Sequence, residues 1–440
     1  MKTSVLFLGI AGLAVLAGCA EKEEILLGKR ESIYSVLSSG TPPASAVAEN
    51  QSVSIRLPAQ KANADWTHGV GSPAYRTKHP ALGAAPTLVW SAPIGAGDSK
   101  RNRIVADPVV AGGRVFTLDA QATVAATSTE GAPVWSADLT PPRDSAEEAT
   151  GGGLAFGDGK LFVTSGFGTL TALDPANGTV LWQQNLLASG SGAPTYYKGL
   201  VYVTSGDDTG WAIEADSGRV RWQLTALPNT GNVLGAPAPA VNNKFVIYGY
   251  GDGEVQAAFR KGGMRHWVSQ LAGSQRDRAL TRLNDITGEP VIDGKTVYVG
   301  SNAGRMVALD LDTGERKWTA REGAIGAMWP VGGSVFAINL ENQLMRLSAR
   351  DGSRVWAVQL PNYVKFTQRK ASEIYANYGP VVAGGRVIVA SNDGQMRFFD
   401  PKDGNQVYAV EVPDGATTSA VVAGRTLYVV SSKGELHAFR

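Results

Sequence analysis

The sequence predicts an all-β protein, an eight-bladed β-propeller built from four-stranded antiparallel blades. Two observations carry this prediction. Short strands that end in an aromatic residue recur at intervals of 38 to 52 residues. Glycine makes up 53 of the 440 residues, about 12%, whereas average proteins contain about 7% glycine. Runs rich in β-branched and aromatic residues, separated by glycine turns at this period, are typical of propeller blades.

The repeat is defined by its aromatic anchors. They are Trp90, Trp135, Trp182, Trp222, Trp267, Trp318, Trp356 and Tyr408. Several anchors close the pattern Ala-x-Asp/Glu-x-x-x-Gly-x-x-x-Trp, as in Ala172 to Trp182 and Ala308 to Trp318. The acidic residue suits a turn, and the glycine suits a position of positive φ. We expect each indole to pack between neighbouring blades with its N–H bonded to a partner.

The number of repeats also predicts how the ring closes. Three-strand units begin near Pro108, Gly152, Ala193, Pro237, Pro290, Ile325, Pro380 and Ser419. The last unit stops at Phe439 and Arg440 without a fourth strand, whereas residues 86–91 form a strand with no inner strands of their own. Pairing these two ends completes the eighth blade, and the propeller is expected over residues 63–440.

The amino terminus has the features of a secretory signal over residues 1–18. Lys2 precedes the uncharged stretch Thr3 to Ala20, which contains Cys19, the single cysteine of the chain. The apolar run is shorter than the roughly 20 residues that span a membrane. Residues 19–62 contain a charged run and a Ser/Pro-rich stretch, which predicts a flexible tether. An ordinary signal peptide with an incidental cysteine is the alternative.

Composition excludes several classes of function. Lysine plus arginine exceeds aspartate plus glutamate by only 41 − 39 = 2, which argues against a nucleic-acid binder. One cysteine excludes an internal disulfide framework and a cysteine-rich metal site. The four histidines are scattered, and His266 beside Trp267 suits a turn or packing role. No catalytic, metal-binding or cofactor-binding residue is therefore predicted.

Two parts of the sequence resemble known families. Leu16-Ala17-Gly18-Cys19 resembles the bacterial lipobox. That likeness implies a lipid-modified Cys19, and Ala20 after it implies sorting to the outer membrane, facing the periplasm. The tryptophan repeat resembles the docking motif of quinoprotein dehydrogenases and their non-enzymatic relatives. As a whole, the chain resembles the PQQ-like propeller lipoproteins of the outer-membrane β-barrel assembly machinery.

This second resemblance implies a non-catalytic scaffold. Such a scaffold docks on the periplasmic POTRA region of the barrel-forming subunit and assists the folding and insertion of β-barrel proteins, with nascent outer-membrane proteins as further partners. Two loops correspond to the family's contact loops. The partner-binding residues it implies are Val233, Leu234, Arg278, Arg282, Leu283 and Asp285. A solvated surface loop is the alternative interpretation of residues 271–289.

Two other functions stay open at this point. A pyrroloquinoline-quinone dehydrogenase would share the repeat, but the resembling enzymes carry adjacent cysteines above the cofactor, and this chain has no cysteine after Cys19. A calcium site needs six to eight converging oxygens, which no single stretch supplies. The third possibility is a generic periplasmic adaptor propeller with another partner.

Overall fold

The computed structural model describes most of the chain, and every regular element in the described part is a β-strand. The described residues are 49–148, 150–189, 192–226, 236–271, 286–301, 304–365 and 373–440. They belong to one compact unit, Ala48–Arg440. The strands form eight antiparallel four-stranded sheets, which confirms the predicted eight-bladed propeller. Within the described ranges, no helix is long and apolar enough to cross a membrane.

The first four blades follow one another along the chain. Blade one contains β2 (Val109–Ala111), β3 (Arg114–Leu118), β4 (Thr123–Ser128) and β5 (Pro133–Asp138). Blade two contains β6 (Gly152–Gly157), β7 (Lys160–Ser165), β8 (Thr169–Leu173) and β9 (Val180–Asn185). Blade three contains β10 (Thr195–Tyr197), β11 (Leu200–Thr204), β12 (Thr209–Glu214) and β13 (Val220–Thr225). Blade four contains β14 (Ala240–Val241), β15 (Phe245–Gly249), β16 (Glu254–Phe259) and β17 (Arg265–Gln270).

The next three blades repeat this order, and the eighth is shared between the chain ends. Blade five contains β18 (Val291–Asp293), β19 (Thr296–Ser301), β20 (Arg305–Asp310) and β21 (Arg316–Ala320). Blade six contains β22 (Trp329–Val331), β23 (Ser334–Ile338), β24 (Gln343–Ser348) and β25 (Arg354–Gln359). Blade seven contains β26 (Asn377–Ala383), β27 (Arg386–Ser391), β28 (Gln395–Phe399) and β29 (Gln406–Glu411). Blade eight contains β30 (Val421–Ala423), β31 (Thr426–Val430), β32 (Glu435–Phe439) and β1 (Leu88–Pro93).

The ring closes by antiparallel pairing of its two chain ends. β1 adds to β32 as the outer strand of blade eight, with Trp90 opposite Ala438 and Pro93 opposite Glu435. Thr87 and Arg440 exchange two further backbone hydrogen bonds. This is the closure that the sequence predicts.

The core between blades follows a constant register. In blade two, Phe162 lies opposite Ala172, which in turn lies opposite Trp182. The same order of large side chain, alanine and tryptophan recurs in five other blades, counting β1 in blade eight. The alanine leaves room for the indole, so the apolar faces of adjacent blades pack closely. Blade six departs from the pattern with Arg346 and blade seven with Phe398.

Each anchor ties its blade to the next one. The indole N–H of Trp182 donates to the carbonyl oxygen of Ala215 in the following blade, 2.9 Å away, and Trp318 bonds to Ala349 in the same way. Tyr408 makes the equivalent bond through its hydroxyl to Pro86. The predicted inter-blade role of the aromatic anchors is therefore confirmed.

Candidate functional site

A segment that precedes the ring in sequence winds around the ring axis, against the inner strands of the blades. We call residues 61–82 the axial segment. It hydrogen-bonds to every blade. The contacts join Asn63 to Val422 and Gly424 in blade eight, Trp66 to Val110 in blade one, Thr67 to Phe156 in blade two, His68 to Tyr196 in blade three, Pro73 to Val241 in blade four, Ala74 to Ile292 in blade five, Arg76 to Ala327 and Met328 in blade six, and Pro80 to Gly384 in blade seven.

His68 is held in one tautomer by its two hydrogen-bond partners. The backbone N–H of Tyr196 donates to Nε2, 3.1 Å away. Nδ1 lies 2.8 Å from the hydroxyl of Thr67. Because Nε2 accepts, the neutral ring carries its proton on Nδ1 and donates it to Thr67. Burial lowers the pKa of His68 from 6.5 to about 3, against a smaller opposing effect of the Tyr196 hydrogen bond.

The axial segment forms the floor of a cavity of about 700 Å³ on the ring axis. Gly69, Val70 and Arg76 of the segment line it, together with residues that lie just before several of the inner strands. A second cavity of about 460 Å³ adjoins it and shares Gly69, Asp107 and Glu289. The cavities therefore open on the face of the ring where outer strands connect to the inner strands of the next blade. We call it the connecting-loop face.

Two carboxylates and one guanidinium face one another in this axial cavity. Burial, reinforced by the charge of Glu289, raises the pKa of Asp107 to about 7, while the N–H of Ser419 donating to it at 2.8 Å acts in the opposite direction. Burial lowers the pKa of Arg76, and the charges of Glu289 and Asp107 oppose that shift. The cavity is thus polar at its floor and carries charge of both signs.

Arg76 is fixed by contacts other than carboxylates. Its guanidinium donates to the carbonyl oxygen of Ala327 at 2.9 Å and lies 5.0 Å from the ring centroid of Trp329. Only 4% of Arg76 is exposed. It therefore serves first to join the axial segment to blade six, with the two carboxylates as more distant partners.

The cavity does not fit the calcium-bound quinone of the related enzymes. Asp98 is engaged by Arg103 and Thr417, which leaves Asp107 and Glu289 as the carboxylates available there. Calcium takes six to eight oxygen ligands. Among the residues that the structure describes, no three His, Cys, Asp or Glu side chains form a group suited to a metal ion.

The predicted partner-binding residues lie outside the described residues, as does the predicted lipidation site Cys19. They are Val233, Leu234, Arg278, Arg282, Leu283 and Asp285. Their two loops connect β13 to β14 and β17 to β18. Described residues next to these loops lie at the cavities: Pro237 and Glu289 line them. The hydroxyl of Thr287 donates to the carbonyl oxygen of Ala324 at 3.3 Å.

Other sequence features have ordinary structural roles. In the basic cluster formed with Lys100 and Arg101, Arg103 pairs with Asp98 at 3.3 Å. His266 stacks on Phe245 with ring centroids 4.8 Å apart, as its predicted packing role requires.

Sequence reasoning missed one element of the connecting-loop face. Tyr363 forms a bridge with Ile374, so the connection between β25 and β26 contains a short antiparallel arm. Ile374 is 55% exposed. The available signal was the interval from Trp356 to Tyr408, the longest in the series.

Tryptophan-docked blades around a closed axis, with the longest connections on one face, define the class of PQQ-like repeat propellers. Within that class, the family described as "Outer membrane protein assembly factor BamB" matches residues 120–358 and 363–440. The chain belongs to this family. It is 25% identical to the BamB of Yersinia pestis over 365 residues, covering 81% of this chain and 89% of the relative. It is 28% identical to the Escherichia coli K12 protein over 358 residues, covering 80% and 88%.

Solved structures show the same fold. BamB from Moraxella catarrhalis superposes with a TM-score of 0.66 at 18% identity, covering 81% of this chain and all of that one. A europium-containing methanol dehydrogenase gives a TM-score of 0.64 at 15% identity, covering 86% and 98%. At these identities the likeness is one of fold, which enzymes and assembly factors share.

Proposed function

We propose that this chain is a non-catalytic scaffold lipoprotein of the outer-membrane protein assembly complex. It docks on the periplasmic POTRA region of the barrel-forming subunit and assists the folding and insertion of β-barrel proteins. The observation that carries the proposal is the family match, which spans most of the ring. The relatives of similar length are named as assembly factors.

The docking surface is the part of the connecting-loop face nearest blades four and five. The described ends of the connections between β13 and β14 and between β17 and β18 lie on this face, because Pro237 and Glu289 line the two cavities. An interface needs a few apolar anchors in a desolvated centre with charged groups around them. Leu283, Val233 and Leu234 supply the apolar groups, and Arg278, Arg282 and Asp285 supply the charge.

This docking site is tested by capture of the partner. We expect the double variant Leu283→Ala, Asp285→Lys to lose at least tenfold in affinity for the isolated POTRA region, because it removes an anchor and reverses a charge. A matched control is Leu187→Ala, since Leu187 is 81% exposed and lies in a different connection. Thermal unfolding checks that both variants keep the ring. Equal capture by the double variant and the parent chain contradicts the assignment.

The proposed anchor is diacylglycerol on Cys19, placing the ring on the periplasmic side of the outer membrane. Acyl chains contribute about 0.8 kcal/mol per buried methylene, so two or more give stable attachment. Cys19→Ala is expected to release the chain into the soluble periplasmic fraction. Ala20→Asp is the matched variant, which keeps the lipid and is expected to move the chain to the inner membrane. Unchanged fractionation of Cys19→Ala overturns the anchor.

The scaffold proposal also predicts a negative result with cofactor. Purified chain mixed with pyrroloquinoline quinone and calcium is expected to show no bound quinone absorbance and no reduction of an artificial electron-accepting dye. A genuine quinoprotein dehydrogenase serves as the positive control. Calcium-dependent dye reduction by this chain would establish the enzyme alternative instead.

A further inference from the structure

A short stretch before the axial segment lies in the groove between blades six and seven. We call residues 50–57 the strap. The N–H of Gln51 donates to the carbonyl oxygen of Val355 at 2.8 Å, and the N–H of Val53 donates to that of Lys402 at 3.3 Å. The side-chain amide of Asn50 both donates to Ala357 and accepts from it, at 3.0 and 2.9 Å. The strap therefore covers part of the outer edge of β25.

Arg346 is the residue that fits the strap to this groove. It occupies the position in β24 where six other blades carry alanine, and it is only 3% exposed. Its guanidinium donates to carbonyl oxygens on two sides of the groove. Val53 and Ser54 of the strap accept at 2.5 and 3.3 Å, and Pro401 and Lys402 of blade seven accept at 3.1 and 3.2 Å.

A buried guanidinium is costly unless its donors are satisfied. Ser334 takes the fifth bond, at 2.9 Å from Nε, and each of the five acceptors is a hydroxyl or a backbone carbonyl. The strap supplies two of these acceptors. If the strap leaves, Arg346 loses two of its five acceptors and keeps the three that the ring supplies, so the ring and the strap stabilise each other at this residue.

The strap also stands between the preceding chain and the axial segment. Its residues Ile55 and Arg56 lie over the turn at Gly332, close enough that a Cβ there would meet the Arg56 oxygen at 2.6 Å. The carbonyl oxygen of Pro58 then meets His79 Nδ1. Tension applied to residue 49 is transmitted along the chain through the strap before it reaches Lys61.

We propose that Arg346 is a clamp that fixes where the amino-terminal chain leaves the ring and shields the axial segment from a pull on that chain. The exit point is then the outer edge of blade six instead of the ring axis. A propeller held by its amino terminus would otherwise transmit any strain into the floor of its own axial cavity. The inference concerns the ring alone and holds whether or not Cys19 carries lipid.

The exit point is tested by a distance measurement between two spin labels. Glu49→Cys and Glu315→Cys are introduced into full-length chain carrying Cys19→Ala, so that the labels occupy the only cysteines. We expect one narrow distance distribution in this parent. Arg346→Ala should broaden it at least twofold. The control Arg350→Ala, on the same blade with its side chain 88% exposed, should leave it narrow. A narrow distribution in Arg346→Ala overturns the clamp.

Hydrogen exchange separates a clamp from a general loss of blade six. In Arg346→Ala, the amides of Gln51 and Val53 should exchange at least tenfold faster, while those of Trp66 and Ala81 keep their protection. Equal loss along β23 and β25 would make Arg346 a core residue only. Val53→Pro removes the hydrogen bond from Val53 to Lys402 but keeps both carbonyl oxygens that Arg346 binds, so Gln51 should stay protected in that variant. Fast exchange at Gln51 in Val53→Pro, with slow exchange in Arg346→Ala, overturns the proposal.

The shielding role is tested by pulling between the same two cysteines. Freeing residues 49–60 lengthens the chain by at most about 40 Å and freeing residues 49–82 by at most about 110 Å, in each case less the distance that the bound segment already spans. The parent should show the shorter step first and the release of the axial segment at higher force. Arg346→Ala should lose the first step. A single long step in the parent overturns the proposal.

Discussion

The glycine of each repeat is required for two independent reasons. Gly263 has a φ of +69°, and a Cβ built there would lie 2.6 Å from the indole of Trp222 in the preceding blade. The same close approach occurs at Gly178, Gly218 and Gly314. A side chain at such a position strains the backbone by about 1–3 kcal/mol and also displaces the indole.

Gly263→Ala is therefore expected to lower the free energy of unfolding by about 2–4 kcal/mol. The adjacent Gly262→Ala is the matched control, because nothing lies within 4 Å of a Cβ at that position. Urea unfolding of both variants measures the difference. Similar midpoints for the two would contradict the role assigned to the repeat glycine.

His68 makes a testable contribution to acid stability. Its pKa is about 3 in the folded chain and 6.5 in the unfolded reference. Below pH 6.5 the unfolded state binds a proton that the folded state does not, so stability falls as the pH falls toward 3. Within this range, each fall of one pH unit lowers the free energy of unfolding by about 1.4 kcal/mol.

His68→Gln should accordingly lose less stability than the parent between pH 7 and pH 5, by roughly 2 kcal/mol. Asp107 has the opposite slope, because its pKa is raised to about 7 and its folded form holds a proton that the unfolded form releases. Denaturant titrations at the two pH values give the comparison. Parallel pH profiles for variant and parent would show that His68 does not titrate as described.

At the scale of single residues, the sequence predicts the roles of residues that recur in every repeat and not the roles of residues that occur once. Trp182 and Gly218 are visible because their spacing recurs around the ring. His68 and Arg346 have no counterpart in other repeats, and each bonds to a residue more than a hundred positions away, Tyr196 and Val53 respectively. A single residue in one sequence carries no sign of such long-range contacts.

The axial segment is the element that sequence reasoning placed least well. Residues 63–82 fall within the expected range of the propeller, and the sequence predicts no role for them. The segment forms isolated bridges, such as Trp66 with Val110 and His68 with Ala155, instead of regular strands. Isolated bridges leave no alternating pattern for a sequence-based prediction to detect.

Trp66 is the main apolar anchor of this segment. It is fully buried, and its ring lies 6.2 Å from that of Trp329. Trp66→Ala should cost about 3–5 kcal/mol and expose the axial segment to protease. Tyr75→Ala, on the same segment but 45% exposed, should do neither. Limited proteolysis with mass spectrometry locates the cut, and an uncut axial segment in Trp66→Ala would contradict this assignment.

At the scale of the whole molecule, the repeats alone were sufficient to predict the architecture. The period gave the blades, and the unmatched strand near Trp90 gave the closure, because a sheet edge left open is costly. The loops proposed to bind a partner were predictable only by resemblance, because loop sequences are constrained far less than strands by how the ring packs.

Closure makes a prediction for the entire ring. Removing residues 435–440 deletes β32, so β1 and β31 lose their shared neighbour. The truncated chain should unfold without a single cooperative transition and should aggregate through the exposed edges. Deleting the six residues Pro141–Ala146, an exposed part of one connection, is the matched control. If the truncated chain unfolds with the same transition midpoint and slope as the parent, closure contributes little to the stability of the ring.

The shared eighth blade also orders the events of folding. The axial segment precedes every blade in sequence, and each inner strand can bind it directly as the ring forms. The ring stays open until Phe439 in β32 pairs with Leu88 in β1. Until these two strands, the first and the last along the described chain, have met, the protein is an arc with one free edge at each of its ends.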